Sequence, residues 1–267
     1  MSLLLAVNKV SNLTSGRQGA SLIKYILIAL SEKSSILLFF LGIGKAIALA
    51  FVKSKAEKVY VLSKTKEAAD KLVAEEPAIA TIVADLCDWD ATRQAVEGIE
   101  PVDILINNAA VQYPQQNFLD ITNEQLERTF KVNIFSFFYM TKAVLPHMKQ
   151  GSSIINTSSI TAYKGNEMLI DYTSTKGAIT SFTRALSQSL VKQGIRVNGV
   201  APGPIWTPLI PASFDEQQVA QFGSDTPMGR PGEPYELAPA YVYLASTDSS
   251  YVTGQMIHVN GGIVVNG

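Results

Sequence analysis

The stretch LGIGKAIALAFVKSKAEKVYVLS, residues 41 to 63, decides the fold. It begins with a Gly42-Ile43-Gly44 turn, continues as an apolar helical pattern to Lys53, and ends in the strand-forming segment KVYVLS. Strand and helix patterns of this kind alternate along the rest of the chain. Because this alternation builds βαβ units, the sequence predicts an α/β fold with one doubly wound parallel sheet and helices on both faces.

The composition narrows the possible partners and the compartment. The chain has 267 residues, 47% of them hydrophobic, which is enough to bury a large core. A formal net charge of −1 creates no field that attracts nucleic acid or an anionic membrane, so we expect neither partner. Cys87 is the only cysteine, which suits a cytoplasmic location, and we expect it to pack in the core. His147 and His258 lack metal-ligand neighbours, so no metal site is predicted.

The N-terminal segment is atypical. We expect residues 1–33 to precede a single domain that spans residues 34–267. Two apolar runs, Tyr25 to Leu30 and Ile36 to Ile43, are each shorter than the roughly 20 residues that a membrane-spanning helix needs. We therefore predict one or two buried strands in this region and no membrane partner, with a membrane anchor over residues 25–41 as the weaker alternative.

Tyr172 and Lys176 form a candidate catalytic pair. They are one helical turn apart within the helix predicted from about Asp171 to Lys192, so they lie on one face. A free tyrosine titrates near pH 10, and a nearby ammonium favours the phenolate, so we expect Lys176 to lower the pKa of Tyr172. Tyr172 would then exchange a proton with a carbonyl or alcohol oxygen. The alternative is an ordinary surface tyrosine and lysine.

Six segments occur in a fixed order: LGIG, NNAA, VNIFSFF, INTSSI, YTSTK and VAPGPIWTP. Together they resemble the short-chain dehydrogenase/reductase family over about Gly42 to Gly262. Lys58 to Val111 is similar to the dicarbonyl and L-xylulose reductases, and the chain from about Tyr113 is similar to bacterial stress-associated dehydrogenases related to glucose dehydrogenase. The resemblance implies a Rossmann-type oxidoreductase that transfers a hydride between a nicotinamide cofactor and a small carbonyl or alcohol substrate.

The same resemblance implies four catalytic residues, Asn133, Ser159, Tyr172 and Lys176. Ser159, at the end of the strand SSIINTSS, would hydrogen-bond the substrate oxygen, whereas its neighbour Ser158 should point to the opposite face. Asn133 would mark a helix kink whose freed carbonyl holds a water bonded to Lys176. The alternative for Asn133 is a polar helix residue that is satisfied by local hydrogen bonds.

The resemblance also implies the cofactor contacts. Asp85 would accept the adenine amino group, and Pro202 and Gly203 would turn the chain beneath the nicotinamide. The full implied set is Gly42, Ile43, Gly44, Ser63, Lys64, Asp85, Leu86, Asn107, Ala109, Tyr172, Lys176, Pro202, Gly203, Ile205 and Thr207. In this set Asn107 and Ala109 brace the sheet, and Ile205 and Thr207 hold the nicotinamide carboxamide.

The end of the strand KVYVLS bears on cofactor choice. An acidic residue there would bind the ribose 2′-hydroxyl and select NAD, and none is present. Ser63 and Lys64 offer a hydroxyl and a cation that suit a 2′-phosphate. The sequence therefore predicts a preference for NADP(H), with NAD(H) possible.

The front of the glycine turn departs from the family pattern Thr-Gly-x-x-x-Gly-x-Gly. Counting back from Gly42 aligns the threonine with Leu37 and the first glycine with Leu38. Leu38, Phe39 and Phe40 would bring apolar groups to the place of the pyrophosphate, where desolvation without donors is costly. The sequence thus supports two hypotheses, an active oxidoreductase and a non-catalytic family member with impaired nucleotide binding.

Two further expectations concern assembly and substrate. The helices predicted over Asn123 to Met148 and Asp171 to Lys192 pair across subunits in this family, which implies a homodimer or homotetramer. The loop after Pro208 would cover the substrate. Its aromatic and aliphatic residues would line a pocket or belong to the core, and they are Trp206, Leu209, Phe214 and Phe222.

Overall fold

The computed structural model describes residues 25–29, 42–99 and 101–265. Its strands are β1 (Tyr25–Ala29), β2 (Lys58–Ser63), β3 (Ile79–Val83), β4 (Ile104–Asn107), β5 (Ser153–Thr157), β6 (Arg196–Pro202) and β7 (Met256–Val259). They form one sheet in the order β3-β2-β1-β4-β5-β6-β7, and every neighbouring pair is parallel. The strand order runs outward from β1 in one direction and from β4 in the other. The predicted doubly wound sheet is therefore confirmed.

Helices cover both faces of the sheet. They are α1 (Ile43–Lys53), α2 (Lys66–Glu75), α3 (Trp89–Val96), α4 (Asn123–Phe130), α5 (Ser136–Val144), α6 (Thr161–Lys164), α7 (Ile170–Leu190), α8 (Glu216–Gln221) and α9 (Pro234–Ala245). One core packs α1 and α9 against the sheet, and Ile104 and Ile106 of β4 point into it. Leu105 points into a second core with α5 and α7. Because neighbouring residues of a strand face opposite sides, a strand covered on both faces buries successive residues, and those of β4 are mostly apolar.

Strand β1 lies in the middle of the sheet, paired with β2 and with β4. The apolar run Tyr25 to Leu30 thus contributes a strand, as predicted, and the sheet begins inside the segment 1–33 that we had set apart from the domain. Five residues of the alternative membrane anchor belong to this strand. Within the part of the chain that the structure describes, no helix is both long and apolar enough to cross a membrane.

The helical run from Asn123 to Val144 is interrupted at its middle. Thr122 caps α4, as predicted, because its hydroxyl accepts a hydrogen bond from the Gln125 amide. Between α4 and α5, residues Lys131–Phe135 form a π-helical turn that contains the buried Asn133. Such turns kink helices and occur often at functional sites, so the interruption directs attention to Asn133.

Candidate active site

A cavity of about 720 Å³ lies at the carboxyl ends of the strands, where open parallel sheets bind ligands. Its walls include the glycine turn before α1, the ends of β2, β5 and β6, and the start of α7. The loop after β6, helices α2, α6 and α8, and the segment after β4 also contribute to the wall. One continuous cavity therefore joins the glycine turn to the Tyr172 and Lys176 pair.

Ser159, Tyr172 and Lys176 all line this cavity. Helix α7 places Lys176 Nζ 5.3 Å from the centre of the Tyr172 ring, as the one-turn spacing predicts. The same ammonium donates a hydrogen bond of 2.9 Å to the Thr157 carbonyl at the end of β5. The Ser159 hydroxyl accepts a hydrogen bond of 3.2 Å from the Thr161 amide. These contacts bring three of the four predicted catalytic residues to one wall.

The pKa of Tyr172 is not lowered by Lys176 in the way that the sequence suggested. Burial raises the pKa of the Tyr172 phenol to about 12, and a hydrogen bond with Ser159 only partly opposes that rise. Burial also lowers the pKa of Lys176 to about 7, so its charge is only partial at neutral pH. The expectation was wrong for the groups of this chain because desolvation acts on both members of the pair.

Ser158 also lines the cavity, but its hydroxyl is held by α7. Its hydroxyl lies 2.9 Å from the Lys176 carbonyl oxygen and 3.0 Å from the Thr180 hydroxyl. Ser158 therefore ties the end of β5 to α7, while Ser159 is left to meet a ligand.

Asn133 lies behind the cavity wall and does not line it. Its side-chain oxygen accepts a 2.7 Å hydrogen bond from the Val111 amide, and its Nδ2 donates to the Val111 carbonyl at 2.9 Å. Nδ2 also lies 3.1 Å from the Thr175 hydroxyl. The side chain of Asn133 is thus satisfied by protein partners, and the kink that we expected at this position is the π-helical turn.

Most of the predicted nicotinamide and pyrophosphate contacts line the cavity. They are Gly42, Ile43, Gly44, Ser63, Pro202, Gly203, Ile205 and Thr207, together with Tyr172 and Lys176. Gly203 is required by its neighbourhood, because a Cβ there would lie 2.6 Å from the Asn260 Cα. At Gly42 the position of a Cβ has no atom within 4 Å among the described residues. Among the described residues, none therefore fills the space beside the Gly42 backbone.

Five predicted cofactor contacts do not line the cavity, namely Lys64, Asp85, Leu86, Asn107 and Ala109. Lys64 and Asp85 pair with each other, with Lys64 Nζ 3.4 Å from Asp85 Oδ2. Burial raises the pKa of Asp85, but the hydrogen bond from the Cys87 amide and the charge of Lys64 outweigh it and hold that pKa below its ordinary value. Leu86 and Ala109 are buried in the core, and Cys87 is half-buried.

The two asparagines after β4 have different positions. Asn107 is fully buried, and its Nδ2 donates to Asn156 Oδ1 at 2.9 Å, which braces β4 against β5 as expected. Asn108 lines the cavity, and its Oδ1 accepts a 3.0 Å hydrogen bond from the Thr157 hydroxyl. We had not selected Asn108, although its place at the carboxyl end of a strand was a usable signal.

The far end of the cavity mixes apolar and polar side chains. Of the four predicted pocket residues, Leu209, Phe214 and Phe222 line it, whereas Trp206 is 40% exposed and packs against Phe222. The sequence did not single out the polar residues of this wall, which are Thr161, Lys164, Asn166, Gln218, Gln221 and Asp225. Short polar segments carry no periodic signal that separates a cavity wall from a solvated surface.

The altered front of the glycine turn, Leu37 to Phe40, lies outside the described residues. The alignment that placed the family's threonine at Leu37 counted back from Gly42 without a gap. The structure has β1 ending at Ala29 and α1 beginning at Ile43, so residues 30–42 connect the strand to the helix. The one-to-one alignment of Leu37 and Leu38 therefore stays a prediction.

Comparisons with known proteins agree on one family. The family model described as enoyl-(acyl carrier protein) reductase matches residues 40–264. The uncharacterized oxidoreductase YhxC of Bacillus subtilis (strain 168) is 59% identical over 235 residues, which cover 85% of this chain and 82% of that protein. NADPH-dependent aldehyde reductase 1, chloroplastic, of Arabidopsis thaliana is 51% identical over 233 residues, which cover 85% and 80%.

Solved structures give the same result. The short-chain dehydrogenase/reductase described as glucose/ribitol dehydrogenase from Brucella melitensis matches with a TM-score of 0.76 and 33% identity, over 91% of this chain and 97% of that one. The 3-ketoacyl-(acyl-carrier-protein) reductase of the same organism, solved with NADH, matches with a TM-score of 0.79 and 29% identity, over 90% and 97%. The resemblance found in the motifs is therefore confirmed, and the chain belongs to the short-chain dehydrogenase/reductase family of NAD(P)-dependent oxidoreductases.

Proposed function

We propose that this protein transfers a hydride between NADP(H) and a small carbonyl or alcohol substrate, with Tyr172 as the general acid and base. One observation carries the proposal. Ser159, Tyr172 and Lys176 line the same cavity as the Gly42-Ile43-Gly44 turn, so a dinucleotide that rests on the turn reaches the reacting groups.

The chain's own groups suit a dinucleotide. Helix α1 begins after Gly42 with no side-chain cap and no acidic residue in its first turn, so its N-terminus favours an anion. The open position at Gly42 leaves room for close backbone approach. When it is bound, the nicotinamide supplies or accepts the hydride, and the protein contributes position and protons.

In the reduction direction, Ser159 holds the substrate oxygen and Tyr172 delivers a proton to it. A phenol with a pKa of about 12 is protonated at neutral pH, so Tyr172 is in the acid form that reduction requires. Lys176 is fixed by the Thr157 carbonyl and titrates near neutral pH, so it can carry either charge state beside the phenol. Asn133 keeps the neighbouring helix kinked, and a water held at that kink would bond Lys176.

The proposed preference for NADP(H) rests on the residues at the end of β2. Ser63 lines the cavity at the end of β2, and Lys64 follows it. Lys64 pairs with Asp85. A 2′-phosphate would therefore compete with the Asp85 carboxylate for the Lys64 ammonium. The relative named as NADPH-dependent supports the preference, whereas the neighbour solved with NADH shows that the fold also accepts the other cofactor.

A homo-oligomer completes the proposal, with a cytoplasmic location as the sequence suggested. Apolar side chains are exposed on the run from α4 to α5, among them Leu126, Phe135 and Phe138. Phe138 packs against Phe182 of α7, with 4.4 Å between ring centres. An apolar surface shared by two helices is suited to pairing with a second copy. Sedimentation velocity tests this, and a species of monomer mass at micromolar concentration would oppose it.

A second function stays open, a non-catalytic family member with impaired nucleotide binding. It is favoured by Leu37 to Phe40, which lack the glycines of the family pattern. Fluorescence titration with NADPH separates the two functions, because the enzyme requires saturable binding below millimolar cofactor. A panel of small aldehydes and ketones with NADPH then tests turnover. If the loop is the defect, Leu37→Thr combined with Leu38→Gly should tighten NADPH binding.

A further inference from the structure

A buried carboxylate lies directly beside the proposed proton donor. Asp171 precedes Tyr172 in the first turn of α7 and is only 3% exposed. It takes part in none of the ion pairs found among the described residues. Burying a charge without a counter-ion is costly unless hydrogen bonds satisfy it, so the partners of Asp171 need an explanation.

Three hydrogen-bond donors surround the carboxylate. The Tyr172 amide donates to Oδ1 at 2.8 Å, and Gln125 Nε2 donates to Oδ2 at 3.0 Å. The Thr129 hydroxyl lies 2.7 Å from Oδ2 and 2.8 Å from the Gln125 carbonyl oxygen. The positive end of α7 adds a favourable field. Asp171 therefore joins two residues of α4 to the backbone of Tyr172.

The hydrogen bond from the Tyr172 amide to Asp171 compensates for a missing cap at the start of α7. The N-cap residue, Leu169, has no side chain that can accept a hydrogen bond, and the first amides of any helix lack partners within the helix. The Tyr172 amide is one of these, and Asp171 satisfies it from inside the first turn. The other side of the same residue is also held, because the Thr175 hydroxyl donates to the Tyr172 carbonyl at 2.6 Å.

The amide and the carbonyl of Tyr172 are therefore both connected by hydrogen bonds to the interrupted helix. Thr175 is itself a partner of Asn133, and Asp171 is a partner of Gln125 and Thr129. We propose that Asp171 is a positioning residue, which sets the place of the Tyr172 phenol by fixing its backbone to α4. The inference rests on the proposed function, since position matters only if Tyr172 transfers the proton. A misplacement of about 1 Å costs on the order of a hundredfold in rate.

Thr129 gives the sharpest test, because valine has the shape of threonine without its hydroxyl. We expect Thr129→Val to lower kcat about fivefold and Asp171→Asn to lower it about tenfold or more, with the Kd for NADPH within about twofold of wild type. Thr129→Ser keeps the hydroxyl and should restore kcat. The two losses should not add in the double variant, because both substitutions disturb the same hydrogen-bond network around Tyr172.

Thr92→Val is the matched control. Thr92 is also fully buried and also bonds the carbonyl four residues earlier, at 2.7 Å from the Asp88 oxygen, but it has no contact with Asp171. It should lower the melting temperature as Thr129→Val does and leave kcat unchanged.

Equal kcat in wild type, Thr129→Val and any folded Asp171→Asn would overturn the inference, and so would a loss confined to the Kd or KM. A Tyr172→Phe variant measured in parallel distinguishes failure of the positioning role from failure of the proposed function. If Tyr172→Phe is inactive while Asp171→Asn is fully active, only the positioning role fails. If Tyr172→Phe stays active, the proposed function fails with it.

Discussion

The two ends of the cavity are built differently. At the catalytic end, Lys176 is 1% exposed and held by a backbone carbonyl, and Tyr172 is set on the first turns of a long helix. At the predicted adenosine end, just beyond the residues that line the cavity, the side chains of Lys64 and Asp85 are 41% and 39% exposed, and Asp85 is shared between Lys64 and the Cys87 amide. Exposed charges are screened by salt and gain little from pairing. The proposed catalytic groups are therefore part of a buried network, while the residues predicted to select the cofactor make weaker and more exposed contacts.

The largest expected effect is at the catalytic end. Tyr172→Phe removes the proton donor and keeps the ring, so kcat should fall about a thousandfold while the Kd for NADPH stays within about twofold. Steady-state turnover with the best carbonyl of the panel, together with fluorescence titration, measures both. Residual turnover above a tenth of wild type would show that another group delivers the proton.

The second effect follows from the buried Lys176. Its pKa falls from an ordinary 10.5 to about 7, so between these values the unfolded chain binds more protons than the folded one. Stability should therefore rise with pH in this window, by up to about 1.4 kcal/mol per pH unit from this group. Urea unfolding of wild type and Lys176→Met at pH 7.5, 8.5 and 9.5 isolates the contribution. Parallel stability curves for the two proteins would contradict the low pKa.

The third effect tests the glycine turn. Gly42 has an extended backbone, and no described residue occupies the Cβ position, so Gly42→Ala should fold with a free energy of unfolding within about 0.5 kcal/mol of wild type. The added methyl should hinder the close approach of a phosphate and weaken NADPH binding about tenfold. Unchanged affinity would mean that the cofactor does not rest on this turn.

The smallest effect is at the adenosine end. Lys64→Ala should lower the ratio of kcat/KM for NADPH to that for NADH about fivefold, since an exposed charge pair contributes about 1 kcal/mol or less. The effect should shrink further at 0.5 M salt. Lys66→Ala is the control, because Lys66 is more exposed than Lys64 and pairs with Asp70 of its own helix rather than with Asp85. An equal change in both variants would remove Lys64 from cofactor choice.

The sequence predicted the fold well because its signals are periodic. Mostly apolar strands such as β4 must be buried on both faces, and helices such as α1 carry one apolar face. The proximity of Tyr172 and Lys176 could also be predicted from the sequence, since residues one helical turn apart lie on the same face of a helix. The separation of residues 1–33 from the domain did not take account of the strand at Tyr25–Ala29, which pairs with β2 and β4.

The rest of the candidate site depends on three-dimensional contacts that spacing does not encode. Desolvation of Tyr172 and Lys176 appears only when the wall around them is assembled, so the direction of the tyrosine's pKa was predicted wrongly. The pairing of Lys64 with Asp85 joins the ends of two neighbouring strands. In the sequence, Asp171 looks like any acidic residue in the first turn of a helix. Its contacts with α4 are seen only in the folded structure.

Thr157 has a consequence for how this protein can vary. Its hydroxyl serves Asn108 and lies 2.8 Å from the Tyr241 hydroxyl, whereas the acceptor for Lys176 is its main-chain oxygen. Every amino acid supplies that oxygen, so the lysine's anchor is independent of which residue occupies position 157. A homologue with a different side chain at position 157 would lose the link to Asn108 but keep the hydrogen bond that holds the lysine. A comparison of residue identities would not reveal that this backbone contact is retained.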